Sequence, residues 1–148
     1  MHFEILTIAR MSKREDRRRL VEGIGDARVD PGSRKNQLAE DVGRLFVDAG
    51  LRVRTGGPGS VMEAACRGAR TWSRSQPGAK VAVLLGHDPA DANPFAAVVI
   101  SAGLDHFRNS IMAHTDVVVA IGGEADTMSE ICFAWIYQRP VVALRVEG

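Results

Sequence analysis

Residues 116–136 read DVVVAIGGEADTMSEICFAWI, and the fold follows from how this stretch divides. Asp116 to Ile121 is a continuous apolar run with no polar alternation, which predicts a strand covered on both faces. Gly122-Gly123 interrupts it. Beyond the glycines, Met128, Ile131, Cys132, Trp135 and Ile136 recur at helical spacing and predict one apolar side of a long helix. Pro140 stops that helix, and Val141 to Val146 reads as a last strand. Strand, glycine turn, helix and strand together make a βαβ unit.

The same alternation extends upstream. Ser33 to Ala49 predicts a helix with Leu38, Val42, Leu45 and Phe46 on one face, closed by Gly50. Leu51 to Thr55 predicts a strand, GGPGS a turn, and Val61, Met62, Ala65 and Ala69 the face of a second helix. Lys80 to Leu85 and Ala96 to Ile100 are further apolar runs, and a third helix is expected around His106 to His114. Buried strands alternating with helices imply crossover connections and a parallel sheet. The predicted fold is α/β, a Rossmann-like doubly wound parallel sheet in a single domain over residues 19–148.

The opening residues allow two first strands, Phe3 to Ala9 or Arg19 to Ile24. The second is favoured, because Gly23-Ile24-Gly25-Asp26 then forms a third small-residue turn. Met1 to Arg18 becomes an extension. Its charges (Lys13, Arg14, Glu15, Asp16, Arg17 and Arg18, with Arg19 adjoining) read as a solvated helix face, the alternative being contact with an acidic partner.

With 148 residues the chain can bury a core without disulfides or a structural metal. A formal net charge of +1 gives no reason to expect nucleic acid or membrane as partner. Cys66 and Cys132 both read as buried free thiols, and the four histidines make no metal-ligand spacing with them. No apolar run is long enough to span a bilayer, and the first residues lack the order of a signal peptide. A cytoplasmic, reducing compartment is expected, with no cofactor and no metal.

Chemistry concentrates in three places. Thr55-Gly56-Gly57-Pro58-Gly59-Ser60-Val61-Met62-Glu63 places glycines ahead of a helix start, where free N–H groups and the positive end of the helix dipole favour an anion such as phosphate. Gly122-Gly123-Glu124-Ala125-Asp126-Thr127-Met128-Ser129-Glu130 repeats the device. Here two readings stay open: Thr127 and Glu130 form a capping box, or Glu130 is a carboxylate held beside a bound sugar. His106-Phe107-Arg108-Asn109 begins a helix, and Arg108 either grips an anion or lies on the surface. All three follow strand ends, so a parallel sheet brings them to one rim. Neither G-x-G-x-x-G nor the Walker lysine pattern is present, which disfavours hydride transfer and ATP cleavage.

The stretches GGPGSVMEAACRGA and RNSIMAHTDVVVAIGGEADTMSEICFAWIYQRPVVAL resemble the LONELY GUY (lysine-decarboxylase-like) family, over about Gly23 to Leu144. The resemblance implies a homodimer that hydrolyses the N-glycosidic bond of a nucleoside 5′-monophosphate, releasing a free base and ribose 5-phosphate. It implies Arg108 and Glu130 as the catalytic pair. Gly56, Gly57, Gly59, Ser60, Met62, Glu63, Asn109, Gly122, Gly123, Asp126 and Thr127 would line the substrate. Ile121, Asn109 and Asp126 stand where the family usually has proline, lysine and glycine. Asp126 would repel a phosphate at close range unless it points away or binds a cation. It therefore also motivates a different class of function, a non-catalytic nucleotide or cofactor carrier on the same scaffold.

Overall fold

The computed structural model describes residues 17–70 and 77–144. Residues 1–16, with the alternative first strand and with Lys13 and Arg14, lie outside the described residues, as do residues 145–148 at the end of the expected last strand. The strands are β1 (Leu20–Gly25), β2 (Arg52–Thr55), β3 (Lys80–Leu84), β4 (Val98–Ser101), β5 (Val117–Ile121) and β6 (Val141–Leu144). The helices are α1 (Arg34–Asp48), α2 (Ser60–Arg70), α3 (Arg108–Ala113) and α4 (Ala125–Ile136). Two 3-10 turns are present among the described residues, Pro89–Asp91 between β3 and β4 and Asp105–Phe107, which leads into α3.

The sheet order is β4-β3-β2-β1-β5-β6, and every pairing is parallel. The chain steps outward from β1 to β4, then returns to the other side of β1 with β5. That reversal opens a crevice between the carboxyl ends of β1 and β5, where such sheets bind ligands. Gly25 pairs with Ile121 there, so the crevice begins at Asp26 and Gly122.

The two faces of the sheet carry different helices. Val21, Val53, Val117, Val119 and Ile121 pack against α1 and α2. Ile24, Val118 and Ala120 face α3 and α4, meeting Ala113 and Ala134. Ser33 caps α1 by accepting from the Asn36 N–H at 3.2 Å. Helices α1 and α2 cross at Gly43 and Gly68, where a Cβ would overlap the Ala65 and Glu40 carbonyls respectively. Small residues at the crossing let two backbones meet, which fixes the start of α2 relative to the sheet.

Several expectations are corrected. Gly23-Ile24-Gly25 is not a turn, because β1 runs through to Gly25 and pairs with β2 and β5. Arg17 is not part of a solvated helix face, since its guanidinium forks onto Asp116 at 2.6 and 2.9 Å. The Asp116 carboxyl lies below the usual carboxylate range, because those bonds and one from the Leu20 N–H outweigh the burial that raises it. β4 is apolar but exposed, because it is an edge strand. Most of the predicted apolar side of α4 faces outward, with Met128, Cys132, Trp135 and Ile136 exposed; only Ile131 of that set packs against the sheet-side core, and Thr127, Glu130 and Ala134 are the helix's buried residues. Periodicity identifies which residues share a face, but not whether that face meets the chain's own sheet. Cys132 is therefore an exposed thiol, whereas Cys66 is buried beside Thr55 Oγ1 and its thiol is pushed up by burial. No helix among the described residues is long and apolar enough to cross a membrane.

Candidate functional site

The rim is assembled by glycines that admit the chain's own polar side chains. After β2, the chain passes Gly56 and turns through Gly57 and Gly59, whose φ values of +101° and +119° lie in the left-handed region. Asn93 Nδ2 donates to the Gly57 carbonyl at 2.9 Å and holds the loop from the side of β4. A Cβ at Gly56 would lie 2.6 and 2.8 Å from the terminal nitrogens of Arg108, so this glycine is the seat of the guanidinium. The Met62 side chain lies against Gly59, and Glu63 is half-buried on the first turn of α2. Ser60 begins that helix.

The second turn is more open. Gly122 and Gly123 are exposed, with φ of +66° and +125°. Glu124 is the residue before α4, and it makes no side-chain capping bond among the described residues. Thr127 is the third residue of the helix, buried against Gly123, and not its cap. The capping-box reading therefore fails. The N–H groups of the first turn of α4 gain no partner from the Glu124 side chain, which is the chemistry of an anion site.

Glu130 sits one turn further and points inward to Arg108, with Nη1 donating to Oε1 at 2.9 Å. The two side chains are only 8% and 7% exposed. Burial pushes the Glu130 carboxyl up to about 7 against the opposing pull of Arg108, and Asp126 adds to the rise. Arg108 Nε has no hydrogen-bond partner among the described residues. Asp126 is exposed, and its Oδ1 lies 3.0 Å from His106 Nδ1. Asn109 is buried, and its Nδ2 donates to Ser129 Oγ at 2.6 Å, so it joins α3 to α4.

Two further charged residues stand behind the rim. Glu22 and Arg54 are register partners in the middle of β1 and β2, bonded at 2.6 Å from Nε to Oε2. Arg54 also donates to the carbonyls of Met112 and His114, satisfying the carboxyl end of α3. Glu22 is fully buried, and burial holds its carboxyl well above the usual range despite Arg54. Its Oε1 has no hydrogen-bond partner among the described residues. Sequence reasoning missed Glu22, Arg54 and Asn93, together with Asp26 and Lys35, which meet at 2.5 Å beside Gly122. A signal existed for the first pair: a glutamate and an arginine inside strands where only apolar residues belong.

Comparisons with known proteins agree with this architecture. The sequence profile of the SLOG cluster4 family matches residues 18–148. An uncharacterized protein of Archaeoglobus fulgidus is 33% identical over 110 residues, which is 74% of this chain and 70% of that protein. The molybdenum cofactor binding protein of Rippkaea orientalis superposes with a TM-score of 0.79 at 26% identity, covering 89% of this chain and 79% of that one. The molybdenum cofactor carrier protein of Chlamydomonas reinhardtii gives 0.76 at 27%, covering 86% and 76%. The LONELY GUY resemblance is thereby placed at the level of the wider superfamily, of which the matched family is a related branch.

Proposed function

The chain belongs to the SLOG cluster4 family, and on that premise we propose that it binds and carries a phosphorylated, nucleotide-like cofactor without cleaving it. The observation that carries this reading is the contrast between the two halves of the rim. Arg108 and Glu130 are closed on each other in a buried ion pair, while Gly122 and Gly123 stand exposed at an uncapped helix start. The open half is suited to a phosphate, and in the closed half the Glu130 carboxyl is engaged by Arg108. The molybdenum cofactor, a phosphorylated small molecule, is the first candidate cargo, because structural neighbours at 26–27% identity are named for binding or carrying it.

One observation favours the second reading, hydrolysis of a nucleoside 5′-monophosphate. A carboxyl pushed up to about 7 is poised for proton transfer near neutral pH. The two readings separate on incubation with a panel of nucleoside monophosphates. The carrier reading predicts bound nucleotide and no free base. Base release that disappears in Glu130→Gln would establish the hydrolase instead.

The outward apolar side chains of α3 and α4 also need a partner, and we assign them to a second copy of the chain. Phe107, at the end of the turn that leads into α3, and Trp135 of α4 are 84% and 83% exposed, and Ile111 of α3 with Met128 and Ile136 of α4 are exposed as well. Trp135→Glu is expected to lower the molar mass measured by light scattering from dimer to monomer. A monomeric wild-type chain would contradict the assignment.

A further inference from the structure

Two side chains already stand over the Gly122 end of the crevice. A Cβ at that position would lie 2.5 Å from Asp26 Oδ2 and 3.0 Å from Lys35 Nζ. Asp26 is the first residue beyond β1, and Lys35 lies in the first turn of α1. They bridge at 2.5 Å, and both side chains remain partly exposed. Next to the pair the loop opens as a groove of about 550 Å³ lined by Ala27, Arg28, Val29, Asp30, Ser33 and Lys35. The crevice therefore has a charged wall on the β1 side, with Lys35 and Arg28 set among Asp26 and Asp30, next to the exposed Gly122.

We propose that Lys35 is a phosphate-binding cation of this crevice and that Asp26 is its resident counter-anion, displaced when a ligand phosphate arrives at Gly122. The inference rests on the phosphate reading of the Gly122–Gly123 turn and adds the charge class that the turn selects. A carboxylate held on an ammonium beside an exposed glycine marks where an anion is stabilised. A phosphate monoester carries about −1.5 to −2 charges at neutral pH, against one for the carboxylate it replaces. The dianion gains more from Lys35 than Asp26 does, and Asp26 turns to solvent. A singly charged diester gains no more than Asp26 and must in addition meet its repulsion. The pair thus selects terminal phosphate monoesters, with the remainder of the ligand free to extend into the groove.

Calorimetric titration with AMP, and with cyclic AMP as its singly charged counterpart, tests this. Lys35→Met is expected to weaken AMP binding about tenfold, the loss of one charge-assisted contact, and Lys35→Arg to retain most of it. Asp26→Asn is expected to tighten AMP a few-fold, and to tighten cyclic AMP more, so that the preference between the two narrows. Thermal melts of each variant confirm that it is folded. If wild-type binding of AMP is competed by inorganic phosphate but Lys35→Met and Asp26→Asn bind within twofold of wild type, the inference is overturned and the phosphate reading stands. If the wild-type chain binds neither AMP nor inorganic phosphate, or binds AMP without competition from inorganic phosphate, the phosphate reading fails and the inference fails with it.

Discussion

Arg54→Met is expected to cost about 3–5 kcal/mol of folding stability at pH 8, because it leaves the Glu22 carboxylate buried without its partner. Glu22 lies at the centre of the sheet, on β1, and its bonded oxygen depends on Arg54 Nε at 2.6 Å. The same substitution removes the donor that serves the Met112 and His114 carbonyls at the end of α3. The cost is expected to shrink as the pH falls, since Glu22 can take up a proton and become neutral in place. The double variant Glu22→Leu with Arg54→Met is expected to recover much of the loss, because an apolar pair needs no compensating charge. Urea denaturation at pH 8 and pH 5 measures all three. A loss below about 1 kcal/mol for Arg54→Met at pH 8 would show that the pair is not the buried strut described above.

Glu130 gives the stability a pH dependence opposite to that of an ordinary ion-paired carboxylate. Its carboxyl lies at about 7 in the folded chain, against 4.5 for an unburied glutamate. Between those values the folded chain holds a proton that the unfolded chain has released. Stability therefore falls as pH rises through this window and levels off above it. The drop from this residue is about 3 kcal/mol. Glu22 contributes in the same direction, through its own burial. Glu130→Gln is expected to flatten the profile between pH 4.5 and 7 by Glu130's share, leaving the slope that belongs to Glu22. A profile that rises over this interval, or one unchanged in Glu130→Gln, would mean that Arg108 outweighs burial at this site. The same measurement bears on function, because a Glu130 whose carboxyl is shared between its neutral and ionised forms near neutral pH is a weaker partner for a developing positive charge on a sugar than a fully ionised carboxylate.

The layered fold was legible because its strands are written as uninterrupted apolar runs. DVVVAI and KVAVLL have one physical solution, a strand covered on both faces. Three things were not legible. The helix after Gly123 shows its apolar stripe clearly, yet all of it but Ile131 faces away from the sheet, and Thr127, Glu130 and Ala134 are the residues buried on the inner side. The Thr127–Glu130 spacing fits a capping box equally well, and only the position of the helix start, two residues before Thr127, decides against it. Asp26 and Lys35 are nine positions apart on either side of a loop, and nothing in their spacing announces that they meet over Gly122. Periodic patterns report local structure, whereas the polar contacts of this rim are made between segments that only the topology brings together.

The central claim, that the rim holds a phosphorylated cofactor intact, is tested most directly by what the chain carries. The protein would be expressed in cells that synthesise the molybdenum cofactor, purified without harsh washing, and examined by native mass spectrometry before and after denaturation. The account predicts an intact phosphorylated pterin or nucleotide, up to one per chain, lost on incubation with excess inorganic phosphate. A chain that retains no phosphorylated ligand, or that yields ribose 5-phosphate and free base from an added nucleotide, would contradict it.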